Sequence, residues 1–232
     1  MVPWPWLAIL ALLAALAWRR IFDSAGTLTA LALGLLVLLI LGPVYLLALI
    51  VGMVLTFGIT VYGRTHKEKN DGPRGVKNVL ANNVGVIVAL ALAYAGASKF
   101  TVDAVFFSSL GFAIADTFGS EGGSIQGKAW LITTLKRVNV GTDGGISHLG
   151  EIATVLGAGL VLLLALLLRK LGLTLGSLTL GQALRGIFLS SVLAAHIDSL
   201  LGATLQRKGL MDNHSVNAVS CLSSVLLAYV LT

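Results

Sequence analysis

A single cysteine, Cys221, stands in a chain of 232 residues. It lies in an apolar run, so there is no disulfide framework and no thiolate metal site, and the thiol reads as a small buried hydrophobe. Charge is also scarce: charged residues make up 11% of the chain, where a soluble domain carries about 25%. Only ten residues are acidic. Basic and aromatic residues nowhere alternate as on a nucleic-acid surface, so the net charge of +6 reads as loops beside anionic lipid. Zinc motifs, a nucleophile elbow, a Walker A loop and a paired-cysteine redox motif are all lacking.

Apolar sequence is abundant. Hydrophobic residues make up 56% of the chain and the mean hydropathy is +0.93. An all-α polytopic membrane protein follows, with about eight transmembrane helices and a range of six to eight. The runs are Trp4 to Trp18, Thr27 to Leu41, Val44 to Tyr62, Val79 to Ala95, Val102 to about Asp116, Ile146 to Leu168, Leu180 to Leu205 and Val216 to Leu231. The first run has no charged leader, and Trp4 and Trp6 stand at its start, as in an anchored helix. The first two runs are short for spans of about 20 residues, and a re-entrant pair stays open for them. The chain reads as one transmembrane domain, with spans one to three in residues 1–62 and a catalytic helical core in 63–232.

Orientation follows from the basic residues. Counted over eight spans, the odd loops hold Arg19, Arg20, Arg64, Lys67, Lys69, Arg74, Lys77, Lys128, Lys136, Arg137, Arg207 and Lys208, twelve of the sixteen Lys and Arg. That bias puts the odd loops in the cytoplasm of a cell-membrane protein and both termini outside. The polar residues at span ends then converge on the cytoplasmic face: Asn82 and Asn83, Asp116 and Thr117, His148 and Glu151, His196, Asp198 and Ser199, and Asp212, Asn213, His214 and Asn217. Ionisable groups at membrane depth are costly and face a bundle interior or a cavity. The other face offers only Ser98, Lys99, Thr101 and Asp103. Ala113-Ile-Ala-Asp116-Thr117 also echoes Ala195-His-Ile-Asp198-Ser199, each a span ending in Asp and a hydroxyl residue.

The stretch from Asp116 to Gly150 concentrates the chemistry, with Asp116, Glu121, Asp143 and Glu151 in it or at its edge, among glycines and the cations Lys128, Lys136 and Arg137. Carboxylates bind Mg²⁺, backbone N–H groups cradle phosphate, and Lys or Arg neutralises the remaining charge. Asp116 and Ser120 share a helical face. Gly122-Gly123 predicts a helix break, which would let Glu121 swing back towards Asp116. Gly141-Thr-Asp-Gly-Gly-Ile-Ser147 predicts an anion-binding loop, with Ser147 as the N-cap of the next helix. Lys69-Asn-Asp-Gly-Pro-Arg74 reads as a turn whose Lys69 and Arg74, with Lys77, would meet a nucleotide. His148 and His196 read as hydrogen-bonded structural residues rather than metal ligands.

Several ordered blocks carry a resemblance: Asn78-Val-Leu-Ala-Asn82, Ala115-Asp-Thr-Phe-Gly-Ser-Glu121-Gly, Leu131-Ile-Thr-Thr134, Val140-Gly-Thr-Asp-Gly-Gly-Ile-Ser147, Asp198-Ser-Leu-Leu-Gly-Ala-Thr204-Leu-Gln206 and Asp212-Asn-His-Ser-Val-Asn217. From about Asn70 to the C-terminus the chain resembles the membrane-embedded phytyl-phosphate kinase family. The resemblance implies a CTP-dependent kinase that converts an isoprenoid monophosphate, such as phytyl or geranylgeranyl phosphate, to its diphosphate. Matching positions are Asp116, Ser120, Glu121, Thr142, Ser147, Asp198, Gln206, Asn213 and Asn217. The expected catalytic and Mg²⁺-holding residues are Asp116, Glu121 and Asp198. The expected nucleotide and phosphate contacts are Asn82, Ser120, Lys136, Arg137, Gly141, Thr142, Gly144, Gly145, Ser147, Arg74, Lys77, Gln206, Asn213 and Asn217. Expected partners are the nucleotide, the isoprenoid lipid and the bilayer, with no nucleic acid; a homo-oligomer stays open. Two rivals remain: a CTP-dependent cytidylyltransferase acting on a lipid phosphate, and an ion-coupled transporter using Asp116 and Asp198. Gly111 and Gly157 are expected to leave room for the lipid tail.

Overall fold

A computed structural model describes residues 22–64, 72–174 and 178–232. The expected first span, with Arg19 and Arg20, and the loop cations Lys67 and Lys69 lie outside them.

Five helices start where a small polar side chain satisfies a free N–H group. Asp23 caps α1 (Ser24–Ile40), its carboxylate accepting from Gly26 N at 2.6 Å. The chain turns at Gly42, whose φ of +103° suits a residue without Cβ, and Pro43 opens α2 (Pro43–Arg64) at the position where its missing N–H costs nothing. Ser98 caps α5 (Lys99–Ile125), Ser147 caps α6 (His148–Lys170) and Asp212 caps α8 (Asn213–Leu231). Thr179 and Gln182 form a reciprocal capping box at the start of α7 (Leu180–Gln206), which widens into π-helical turns at Leu184–Leu189 and Gly202–Gln206.

The fourth expected span is broken. α3 (Val76–Asn82) and α4 (Val84–Tyr94) meet at a bend of 61°. The side-chain amides of Asn82 and Asn83 donate to the carbonyls of Asn78 and Val79, each at 2.9 Å, so the side chains compete with the backbone where the helix bends.

The helix α5 is the axis of the bundle, and α2, α4, α6, α7 and α8 all pack on it. Phe106, Phe107, Phe112 and Ile114 are fully buried along it, and Tyr45 of α2 meets Phe106 edge to face at 5.0 Å. Its crossing with α6 is made of small residues. A Cβ on Gly157 would lie 2.9 Å from Ala115 Cα, and one on Gly122 would lie 2.7 Å from Ala153 Cβ. Close backbone approach of this kind is how helices associate where lipid removes the hydrophobic drive. Outward, Ile152, Leu156, Leu163 and Leu167 of α6 are each more than half exposed, a face suited to acyl chains.

Among the described residues five helices are long and apolar enough to span a membrane: α2, α5, α6, α7 and α8. The bent α3–α4 pair makes a sixth if it acts as one span. Of the other runs expected as spans, Thr27 to Leu41 forms α1, which has 17 residues, and Trp4 to Trp18 lies outside the described residues. The all-α expectation needs one addition. Three short antiparallel strands, β1 (Ala129–Leu131), β2 (Arg137–Val138) and β3 (Gly145–Ile146), stand between α5 and α6 in the order β2-β1-β3. Trp130 pairs with Arg137 on one side and Ile146 on the other.

Candidate functional site

The helix α5 continues through Gly122-Gly123 to Ile125, so the expected break does not occur. Those glycines press against α6 instead: a Cβ on Gly123 would lie 3.3 Å from Ser147 Oγ. In an unbroken helix Glu121 lies about 140° round the axis from Asp116. The Glu121 carboxylate accordingly packs over Gly63 of α2, where a Cβ would meet it at once. Asp116 instead lies near enough to Asp198 of α7 for its charge to act on that carboxylate, and the Arg74 guanidinium acts on Asp116. Among the described residues no three His, Cys, Asp or Glu side chains gather as a metal site, and Glu121 lies against α2 rather than with Asp116 and Asp198.

Arg74 is placed by its backbone. Phe22 and Arg74 form a parallel bridge, Asp23 N donates to Arg74 O at 3.2 Å, and the Arg74 carbonyl lies against Gly26 of α1. Its guanidinium donates to Thr60 Oγ1 at 3.3 Å. The α1–α2 hairpin thus holds the cation beside the aspartates.

Asn217 of α8 is buried and donates to Asn82 Oδ1 at 3.3 Å across the α3–α4 bend. Gly144, with φ +71°, has no room for a Cβ because Ala203 lies against it, and a Cβ on Gly202 would lie 2.9 Å from Gly144 N. The glycine loop therefore rests on the π-helical turn that ends at Gln206. Its own groups are largely engaged. Thr142 Oγ1 donates to Asn139 O at 2.7 Å, Gly145 N to Thr142 O at 2.8 Å, and Ile132 N to Gly144 O at 3.0 Å. Ser147 is buried and its hydroxyl accepts from Gly150 N at 3.1 Å, so it serves as a cap. Ser120, Gly141, Lys77, Lys136, Arg137 and Asn213 are exposed around the aspartate pair's end of the bundle. Lys77 acts on Asp212, whose carboxylate is held below its ordinary range mainly by hydrogen bonds from the Ser215 hydroxyl and N–H.

Two arrangements escaped the sequence reading. At the aspartate end, His196 Nε2 and Glu151 Oε2 lie 2.9 Å apart, with His196 Nδ1 2.8 Å from Val192 O; the residues were visible as polar positions, but their pairing was not. At the opposite end, Lys99 Nζ donates to Tyr45 OH at 2.7 Å and Thr174 Oγ1 at 3.1 Å, and lies 3.3 Å from both Asp103 oxygens. Thr174 donates to Asp103 Oδ1 at 2.7 Å, and Tyr45 OH also donates to it. Asp103 is 1% exposed. Neither Tyr45 nor Thr174 carries a sequence signal, because both come from span ends far from Asp103 in the chain.

Long apolar helices around a half-buried aspartate pair define a multi-pass integral membrane protein with a polar centre at one end of the bundle. The chain belongs to the integral membrane protein family DUF92, whose family model matches residues 7–225. It is 32% identical over 207 residues to an uncharacterised membrane protein of Methanocaldococcus jannaschii, covering 88% of this chain and 82% of that one. It is 29% identical over 240 residues to an uncharacterised membrane protein of Synechocystis, covering 97% of this chain and 90% of that one. No solved structure matches the chain.

Proposed function

We propose that this protein is a CTP-dependent kinase that phosphorylates an isoprenoid monophosphate to its diphosphate at the cytoplasmic face of the cell membrane. The observation that carries the reading is the Asp116–Asp198 pair at one end of the bundle, with Arg74 acting on it. Two carboxylates within electrostatic reach of each other at membrane depth repel each other and need a compensating cation or a shared proton. Asp198 Oδ2 is buried without a hydrogen-bond partner, an oxygen ready to bind a hard cation, so the pair fits Mg²⁺. Bound there, Mg²⁺ would neutralise charge that develops on the transferring phosphoryl group.

In the reaction an oxygen of the isoprenoid phosphate attacks the γ-phosphorus of CTP, the bond from that phosphorus to the β–γ bridging oxygen breaks, and CDP leaves. Such transfer asks for in-line positioning and charge neutralisation rather than covalent participation. Arg74, fixed by α1 and α2, offsets phosphate charge. Lys136 and Arg137 on the β1–β2 hairpin, with the loop Gly141 to Gly145 and Gln206 beneath it, meet the nucleotide from the aqueous side. The isoprenoid tail stays against the apolar outer faces of the spans, since exposing it to water costs about 0.8 kcal/mol per methylene.

The opposite end favours a one-sided site. The bonded group of Tyr45, Lys99, Asp103 and Thr174 ties α2, α5 and the end of α6 together where a transporter would need a second opening. Purified protein incubated with γ-labelled CTP, Mg²⁺ and geranylgeranyl phosphate tests the reading by thin-layer chromatography. Labelled geranylgeranyl diphosphate with CDP is expected. A CDP-lipid with released diphosphate would make it a cytidylyltransferase, and no lipid product with any nucleotide would remove the enzyme reading.

A further inference from the structure

One buried hydroxyl beside the aspartate pair is left unused. Ser220 of α8 is 0% exposed, and its Oγ has no hydrogen-bond partner. Buried helical serines ordinarily donate back to a carbonyl one turn earlier, as its buried neighbour Ser224 does to Cys221 O at 2.7 Å. Ser220 instead lies near the Asp198 carboxylate, close enough to act on it but out of hydrogen-bonding geometry. Asp198 Oδ2 is likewise buried and unpartnered. Two orphaned oxygens on facing helices, α7 and α8, are unusual, because buried polar groups are nearly always paired.

A bound ion would satisfy both. Carboxylate and hydroxyl oxygens are hard donors, the class that takes divalent cations such as Mg²⁺ and Mn²⁺. We propose that Ser220 Oγ is the third protein oxygen of a divalent-cation site centred on Asp198 and shared with Asp116, so that α5, α7 and α8 each supply one donor. This rests on the aspartate pair holding a cation, as argued above, and adds a ligand from a helix that the carboxylates alone would not involve.

Mn²⁺ titration followed by electron paramagnetic resonance, on the full chain in nanodiscs without nucleotide, tests the assignment. The wild type should bind one Mn²⁺, and S220A should bind it about tenfold more weakly at an unchanged melting temperature. S220C keeps the volume but offers a soft sulfur. It should lose Mn²⁺ affinity and bind Cd²⁺ more tightly than the wild type does, a switch that a packing role would not produce. Should S220A fold poorly, S220C carries the test. Wild-type Mn²⁺ affinity in S220A together with loss of binding in D198N overturns the Ser220 assignment while leaving the aspartates in place. A wild type that binds no Mn²⁺ overturns the assignment and the cation at the aspartate pair together. A protein that binds Mn²⁺ in this way but makes no isoprenoid diphosphate would leave Ser220 as a ligand and sink the kinase reading alone.

Discussion

Asp116 and Asp198 differ from the other acidic residues in standing opposite each other inside the bundle. Replacing either with Asn keeps size and hydrogen-bonding capacity but removes the charge that would hold a cation. If the pair serves phosphoryl transfer, Asp116→Asn and Asp198→Asn should each lower the rate by at least about 10²-fold, the scale of losing several kcal/mol of transition-state stabilisation. Steady-state transfer assays on protein with wild-type gel-filtration behaviour would check this, and near-normal turnover in either variant would take that residue out of the site. Glu121, packed over Gly63, should respond differently: Glu121→Gln should chiefly change stability. Asp212 makes a separate residue-scale case. Its carboxylate caps α8 through Ser215 and is held below its usual value of 3.8. A depressed acid stabilises the fold above its unfolded pKa and loses that contribution as pH falls through the folded value. Hydrogen exchange in the first turn of α8 should therefore quicken below about pH 4. In Asp212→Asn, which still caps but does not titrate, exchange should show no such pH dependence after correction for intrinsic rates.

The elements meet through small residues, and this decides what glycine changes do. Gly111 and Gly157 were expected to make room for a lipid tail. A Cβ on Gly111 would strike Ser191 Oγ of α7, and one on Gly157 the α5 backbone at Ala115. These are helix crossings with no spare volume. Gly157→Leu should cost more than about 3 kcal/mol, beyond the usual range for overpacking, because the clash is with backbone that cannot rotate away. It should depress activity equally for short and long isoprenoid phosphates. A selective loss with long chains, at an unchanged melting temperature, would restore the tail path. The polar tie at the far end of α2, α5 and α6 belongs to the same scale. Tyr45→Phe removes the hydroxyl that bonds Asp103 and Lys99, leaving buried Asp103 one donor short. Unfolding in detergent should register a loss of about 1–3 kcal/mol, and an unchanged midpoint would show that the tie does not stabilise the bundle.

At the scale of the whole molecule, the two polar groups mark two ends. Arg74, the β1–β3 sheet, and the junction of α7 and α8 share the aspartate end, as the contacts Gly144–Ala203, Asn82–Asn217 and Gln126–Leu149 require. Tyr45, Lys99 and Thr174 share the other. Single cysteines at the exposed positions Lys136 and Lys208 should thus label from one face of the membrane, and those at Ala95 and Leu171 from the other, with Cys221 silent because it is buried. From the distribution of Lys and Arg the first pair is expected to label from the cytoplasm. Labelling of Lys136 and Ala95 from the same face would contradict the bundle's polarity.

Composition and periodicity by themselves determined that the chain lives in a membrane, where its main apolar helices run, and which polar residues sit at their ends. These follow from the cost of burying charge and from the length of an apolar run, both local properties. The likeness of Ala113–Thr117 to Ala195–Ser199 even marked the two segments whose aspartates meet. Only the tertiary structure decided which end-residues face each other. Whether Glu121 joins Asp116 depended on whether Gly122-Gly123 breaks the helix. Packing against Ala153 and Ser147 keeps α5 straight and turns Glu121 to α2. The Asn82–Asn217 bond, the orphaned hydroxyl of Ser220 and the tie from Tyr45 to Thr174 arise between helices distant in the chain. Helix rotation and close approach set them, and no short stretch of sequence encodes either.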